Sequence, residues 1–439
     1  MVRVLLLSLL VLSAVWSPVW APRAEAQIGL PSVRLPAVSL PSLTGGLDKT
    51  VSAAVNDLNP DRLQDLRKLQ VRDLLRRYPK VIEADPNGAP VIRGEVLVFS
   101  PSDAVLEAAR QAGFQVVRER PLEGLDARIV VLRAPEGTST RKALERLRAL
   151  DPSGSYDFNH LYTPSGTVST ASATASAGVA PSGATVTVGL IDSGVDAAHP
   201  VFRGVAIHRH GCPAGQVPGP HGTAVASLMV GRSERFHGAA PGSELYAADV
   251  FCGLPTGGAV DAVADAFGWL VHERVPVINV SLVGPANAML ESVVRMVIAR
   301  GHIVVAAVGN DGAAAPPLYP AAYPDVVGVT AVDARRRVLV EAERGKQVKF
   351  AAPGADMSAA SPHQTYAMVR GTSFASPIVA GLLAAEMAGP DKGAAERAIA
   401  DLARRAVDLG APGLDPVYGY GLVGADLRPE PALARVRAE

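Results

Sequence analysis

Two rhythms of apolar positions run along the chain. Between residues 92 and 160, short stretches read as strands at Glu95–Phe99, Gln115–Arg118, Ala127–Leu132 and Ser155–Phe158. Helical spacing separates them at Asp103–Ala112 and Thr138–Leu150, the second carrying Leu144, Leu147 and Leu150 on one face. The order β-α-β-β-α-β predicts a small α+β domain of the ferredoxin-like kind. From Val186 the pattern changes to continuous apolar runs at Val186–Ile191, Leu245–Val250, Val277–Leu282, Ile303–Val308 and Val326–Val332, alternating with helical segments such as Ala262–His272 and Ala288–Ala299. Strands that are apolar at every position need both faces covered, so this half predicts an α/β domain with a parallel sheet flanked by helices. In such sheets sites gather at the carboxyl ends of the strands.

The remaining segments follow different patterns. Arg3 precedes an apolar run, Val4 to Trp20, and Ala24-Glu25-Ala26 fits a small-x-small cleavage site, so residues 1–26 read as a signal peptide and the protein as exported, periplasmic or extracellular. Ser8, Ser13, Ser17 and Pro18 interrupt the run too often for a membrane anchor. Residues 27–91 read as a flexible lead followed by a helix, opened by Asn59-Pro60-Asp61 and closed by Tyr78-Pro79. Residues 163–185 hold Ser, Thr, Ala and Gly with no charge and read as an exposed linker. The expected organisation is therefore signal peptide 1–26, lead 27–91, small domain 92–162, linker 163–185, α/β domain 186–428 and tail 429–439.

Composition narrows the possibilities. Apolar residues are 48% of the chain but aromatics only 5%, so the core must be built from Ala, Val, Leu and Ile. Lys+Arg and Asp+Glu are both 42, and zero formal charge offers no attraction to nucleic acid or an anionic membrane. Cys212 and Cys252 lack any zinc-type spacing and read either as one disulfide or as two buried thiols. His208 and His210 read as solvated loop histidines and not as metal ligands.

Four segments carry candidate chemistry. Gly189 to Gly194 ends a buried strand in Asp192; His221 opens a helix of small residues; Ala306 to Asn310 ends another buried strand in an amide; Ser373 lies just before a long apolar helix whose first turn tolerates Pro377. Taken in order, these segments resemble the motifs of subtilisin-like serine proteases, whose triad runs Asp, His, Ser. The resemblance spans residues 185 to about 427 and includes Tyr319-Pro320-Ala321 and Ala352-Pro353-Gly354. It implies Asp192, His221 and Ser373 as the triad, the first two 29 positions apart and the last two 152, and Asn310 as an oxyanion donor. In chemical terms, a serine hydroxyl needs a base within reach, the base needs a carboxylate to fix its tautomer, and the developing oxyanion needs donors. Rival motifs fail: Pro276 breaks HExxH after His272-Glu273, and Ala375 breaks G-x-S-x-G.

The resemblance also implies a substrate-pairing strand at Ser281, Leu282, Val283 and Gly284 and a primary pocket closed at its base by Leu318. Val283 and Leu318 stand where many family members have glycine, which predicts cleavage after Ala, Val or Leu and poor cleavage after Phe, Tyr or Trp. The small domain resembles propeptides that inhibit such enzymes, so cleavage is expected within about 160–184. Expected partners are protein or peptide substrates and the chain's own N-terminal domain, with no nucleic acid and a monomeric state. No cofactor is expected, and a structural calcium has no support, because the helical lead that often carries its ligands is missing before Val186. Two alternatives are a binding protein that has kept the fold, which a lost triad residue would favour, and a chain permanently inhibited by its own N-terminal domain.

Overall fold

The computed structural model describes residues 60–169, 173–174, 186–213, 215 and 217–434. The expected signal peptide, the lead up to residue 59, most of the linker and residues 435–439 lie outside the described residues. Helix α1 (Pro60–Arg77) ends at Tyr78-Pro79 as its sequence predicts, and strand β1 (Ile82–Ala84) follows. Then come β2 (Pro90–Phe99), α2 (Asp103–Gln111), β3 (Gln115–Leu122), β4 (Ala127–Arg133), α3 (Thr140–Leu150) and β5 (Tyr156–Pro164). All pairings are antiparallel and the sheet order β5-β2-β4-β3 is that of the ferredoxin-like fold. Ser102 and Ser139 cap α2 and α3, accepting from the N–H groups of Val105 and Lys142.

Short strands β6 (Thr167–Val168) and β7 (Ala173–Thr174) lead to the larger domain. Its elements are β8 (Thr187–Asp192), β9 (Ile207–His210), α4 (Pro220–Val230), β10 (Glu244–Asp249), β11 (Gly258–Ala259), α5 (Val260–His272), β12 (Val277–Val280) and β13 (Leu282–Val283). They continue with α6 (Ala288–Ala299), β14 (Ile303–Ala307), β15 (Val327–Val332), β16 (Val348–Pro353), the hairpin β17 (Met357–Ser361) and β18 (Thr365–Arg370), α7 (Thr372–Ala384) and α8 (Lys392–Arg405). Seven strands form one parallel sheet in the order β16-β15-β14-β12-β8-β10-β9. Helices α4, α7 and α8 cover one face, α5 and α6 the other. From β8 the chain lays β9 at the sheet edge, returns to β10 beside β8, and then crosses to β12 on the other side. The carboxyl end of β8 is thus the point where the winding reverses, the usual location of a site in such sheets.

The two domains share a core. Leu97, Leu122, Leu125, Ile129 and Val131 of the small sheet pack with Val263, Phe267 and Leu270 of α5 and Leu290 and Val294 of α6. Each such buried aliphatic side chain stabilises the contact by roughly 1.5–3 kcal/mol, an upper estimate. The opposite face of the small sheet packs on α2 and α3 through Val96, Val98, Leu106, Leu132, Leu144 and Leu147. Strand β4 is therefore buried on both faces, which explains its run of four buried residues.

Three differences from the sequence reading have physical causes. Strand β5 continues past Phe158 to Pro164, and Ser165, read as part of an exposed linker, is 3% exposed. Its pairing partners are β11 on one side and β13 on the other, nearly a hundred residues or more away, so no local window reveals them. The second difference is β9, read as a loop: His208 stacks on Tyr246 with ring centroids 4.2 Å apart, and His210 on Trp269 at 4.8 Å, its Nε2 3.0 Å from Asp265. The strand and the stacking were not expected, but His208 keeps the exposure that was, its side chain remaining 46% accessible, while His210 is partly covered. The third is a choice left open by sequence: Cys212 and Cys252 form a disulfide, with Cα atoms 5.4 Å apart. No helix among the described residues is long and apolar enough to cross a membrane.

Candidate active site

Asp192 ends β8 and is fully buried. His221 is the second residue of α4, behind Pro220. This helix start lies so close to the turn after β8 that a Cβ on Gly222 would be 2.0 Å from the carbonyl oxygen of Ser193, so only glycine fits. The imidazole Nδ1 of His221 lies 2.8 Å from Oδ1 and 3.0 Å from Oδ2 of Asp192. The same Oδ1 accepts from the main-chain N–H of Ser193 at 2.7 Å. A carboxylate held on Nδ1–H leaves Nε2 as the basic nitrogen. That Nε2 is buried and finds no hydrogen-bond partner among the described residues.

Asn310 follows β14 and Gly309, and its Oδ1 accepts from the N–H of Thr372 at 3.1 Å, which fixes the amide's orientation. Ser373, second in α7, is fully buried at a helix N-terminus, where unpaired N–H groups favour negative charge. Into this cradle the protein places its own chain. The carbonyl oxygen of Ser165 accepts from Asn310 Nδ2 at 2.6 Å and from the N–H of Ser373 at 3.0 Å. The N–H of Ser165 donates to Ser373 Oγ at 3.0 Å, and that hydroxyl donates to the carbonyl of Ser281 at 3.0 Å. Gly371, at φ +134°, permits the approach: a Cβ there would lie 2.7 Å from the Cα of Gly166.

Every residue expected from sequence to bind substrate lies around this segment. The carbonyl of Ser281 also accepts from the N–H of Ser165 at 3.4 Å, and Leu282 and Val283 pair with Pro164 and Thr163. Gly284 exchanges main-chain hydrogen bonds of 3.0 and 3.1 Å with Tyr319, bringing Leu318 to the same side. On the opposite edge Gly258 and Ala259 pair with Tyr162 and Leu161. Tyr162 is fully buried, its hydroxyl donating to the carbonyl of Pro285 at 2.6 Å.

Sequence reading missed three groups here. Ser165 carries no motif. Thr372 Oγ1 accepts from the N–H of Gly309 at 3.2 Å and lies 3.0 Å from Ser165 Oγ. Glu343 is fully buried; its Oε2 accepts from the N–H of Leu318 at 3.1 Å and its Oε1 has no partner among the described residues. Burial, reinforced by nearby Asp311, pushes the Glu343 carboxyl up to about 9, so it is neutral at pH 7. Burial also raises Asp311, against the pull of Arg67 of α1, whose Nε lies 3.1 Å away. Among the described residues one group of three side chains of metal-binding type lies close together, Cys212, Asp249 and Cys252, and its two sulfurs are joined in the disulfide.

Comparison with known proteins decides the family. The model of the subtilase family matches residues 183–421, more than half of the chain. Subtilisin BL and subtilisin Savinase, both from Lederbergia lenta, are 34% identical over 249 residues, which is 56% of this chain and 90% of theirs. This chain belongs to the subtilase family. It is a serine-type endopeptidase, a hydrolase of peptide bonds. Among solved structures, fervidolysin from Fervidobacterium pennivorans, a keratinolytic enzyme related to subtilisin, matches with a TM-score of 0.65 and 22% identity. The match covers 77% of this subtilase and 61% of that chain and bears on the fold alone.

Proposed function

We propose that Asp192, His221 and Ser373 are the catalytic triad of this subtilase, that Asn310 is its oxyanion donor, and that the chain is an exported precursor which cuts itself between Ser165 and Gly166. One observation carries the reading: a single carbonyl oxygen, that of Ser165, receives both the Asn310 amide and the Ser373 N–H. Those are the donors a tetrahedral intermediate at Ser165 requires. Ser373 Oγ attacks the Ser165 carbonyl carbon as its proton passes to His221 Nε2. Asp192 stabilises the resulting imidazolium. The imidazolium then protonates the departing nitrogen of Gly166, the C–N bond breaks, and an acyl-enzyme remains on Ser373. Water, deprotonated by His221, releases the new carboxylate of Ser165.

In the precursor the residues around 92–162 act as an inhibitor, because β5 occupies the cleft as a substrate strand flanked by β11 and β13. Residues 1–26 direct export, residues 186–428 form the catalytic domain, and the released enzyme acts as a monomer on protein or peptide substrates. A second reading, a chain held permanently inhibited, is favoured by one contact: Ser373 Oγ donates to Ser281 and not to His221. Apo and inhibited sites often align only on reaction, so the first reading is preferred. Purified full-length protein incubated with casein, with and without a fluorophosphonate, tests it. Hydrolysis blocked by the reagent supports catalysis; an unlabelled, inert chain supports the second reading.

A further inference from the structure

Ser165 and Gly166 sit in surroundings that admit very little side chain. Gly309, at φ +117°, donates its N–H to Thr372 Oγ1, which touches the Ser165 hydroxyl, so the space beside Gly309 adjoins that hydroxyl. The space is filled: a Cβ on Gly309 would lie 2.5 Å from Glu343 Oε1 and 2.9 Å from Leu318 Cδ1. Glu343 is buried and held in place by the main-chain N–H of Leu318, and the Leu318 side chain is buried beside it. The Ser165 hydroxyl is itself held by polar partners, its Oγ 2.9 Å from Asn310 Nδ2 and 3.0 Å from Thr372 Oγ1.

Across the bond there is less room still. A Cβ on Gly166 would lie 2.7 Å from the Phe374 ring and 3.1 Å from the carbonyl oxygen of Arg370. Phe374 is fully buried, adjoins Ser373 in α7 and packs against the His221 ring with centroids 5.3 Å apart. It cannot yield without disturbing the residues proposed to act.

Resting on the reading of Ser165–Gly166 as the bond presented to Ser373, we infer that this protease is selective for bonds joining a small, hydroxyl-bearing residue to glycine. Leu318 and Glu343 limit the residue on the acyl side, and Phe374 excludes a side chain on the amine side. This is narrower than the Ala, Val or Leu preference expected from Val283 and Leu318, because Glu343 fills space that sequence left open. The competing outcome is a Lys or Arg preference, drawn by Asp311 once Arg67 departs; Glu343, neutral at pH 7, adds no anionic floor for it.

The test uses the full-length chain, with rates normalised to the fraction that reacts with a fluorophosphonate. Quenched peptides carry Tyr-Thr-Pro, then Ser, Ala, Phe or Arg, then Gly, Ala or Leu. The expected kcat/KM is highest for Ser–Gly, and roughly 10–100-fold lower for Phe or Arg before the bond and for Leu after it. Phe374→Ala should selectively recover Leu after the bond, and Leu318→Gly should recover Phe before it. Equal or faster cleavage of the Phe, Arg or Leu peptides overturns the inference, as does a labelled chain that cuts none of them. A chain that does not label at all removes the protease site itself, and the inference with it, which is a distinguishable result.

Discussion

The side-chain amide of Asn310 donates to the carbonyl oxygen of Ser165 at 2.6 Å, across 145 residues of sequence. If that amide stabilises an oxyanion, Asn310→Ala should slow hydrolysis roughly 10²–10³-fold. Fluorophosphonate labelling of Ser373 should persist, because the nucleophile and its base remain. Single-turnover rates and labelling measured on the same sample check this; an unchanged rate would remove Asn310 from the chemistry.

Asp261 of α5 joins the two domains electrostatically. It is 2% exposed, with Arg118 Nε at 3.0 Å, Arg120 Nε at 3.2 Å and Asn159 Nδ2 at 3.0 Å. Burial alone would raise its carboxyl, but the two guanidiniums and the amide hold it below the ordinary 3.8. A lowered carboxylate contributes docking stability above that ordinary value and loses it as pH falls through the lowered one. Docking of the small domain should therefore weaken only in strong acid, below about pH 4. Asp261→Asn should weaken it at neutral pH by roughly 1.5–3 kcal/mol, because Arg118 and Arg120 each lose a charged acceptor while keeping Glu95 and Asp265. Hydrogen exchange of β5 amides in full-length Ser373→Ala protein, with and without the second substitution, reads the effect directly.

Glu343 gives the opposite pH sign. Its carboxyl is raised from 4.5 to about 9, so between those values the folded chain holds a proton that the unfolded chain has released. Wild-type stability then falls as pH rises through this window. Glu343→Gln, of the same shape and indifferent to pH, should be the more stable protein at pH 7. Its advantage should be small near pH 5 and level off above about pH 9. Denaturant midpoints at three pH values, measured in the Ser373→Ala chain so that Asp311 and Arg67 keep their places, decide it. An advantage that does not change with pH would contradict the assignment.

The Cys212–Cys252 bridge closes a loop of 40 residues that includes His221. Replacing both by serine should cost roughly 3–4 kcal/mol of stability. Thermal unfolding of the double variant against the parent chain measures it.

What could be read from sequence was local, and what was missed was not. Asp192 and Asn310 end apolar runs, and His221 and Ser373 open small-residue helices, so each is visible within a window of ten residues. The β-α-β-β-α-β order of the small domain was legible for the same reason. The course of Leu161–Ser165 was not, because Pro164 cannot donate to a ladder and its segment's partners are Gly258–Ala259 and Leu282–Val283. Glu343 escaped notice because an acid among Arg344 and Lys346 reads as surface, while the fold turns its carboxyl against Gly309. Strand β9 was hidden by its polar residues, whose rings are satisfied by Tyr246 and Trp269 from other elements.

The central claim is that Ser373 attacks the carbonyl of Ser165, and intact-mass analysis of the full-length chain tests it most directly. Wild-type and Ser373→Ala proteins are purified alike and followed over time. The wild-type chain should release a fragment whose first residue is Gly166, while Ser373→Ala stays whole at that bond and does not react with fluorophosphonate. Cleavage of Ser373→Ala at Ser165–Gly166 at the wild-type rate, or a wild-type fragment that begins elsewhere, would contradict it.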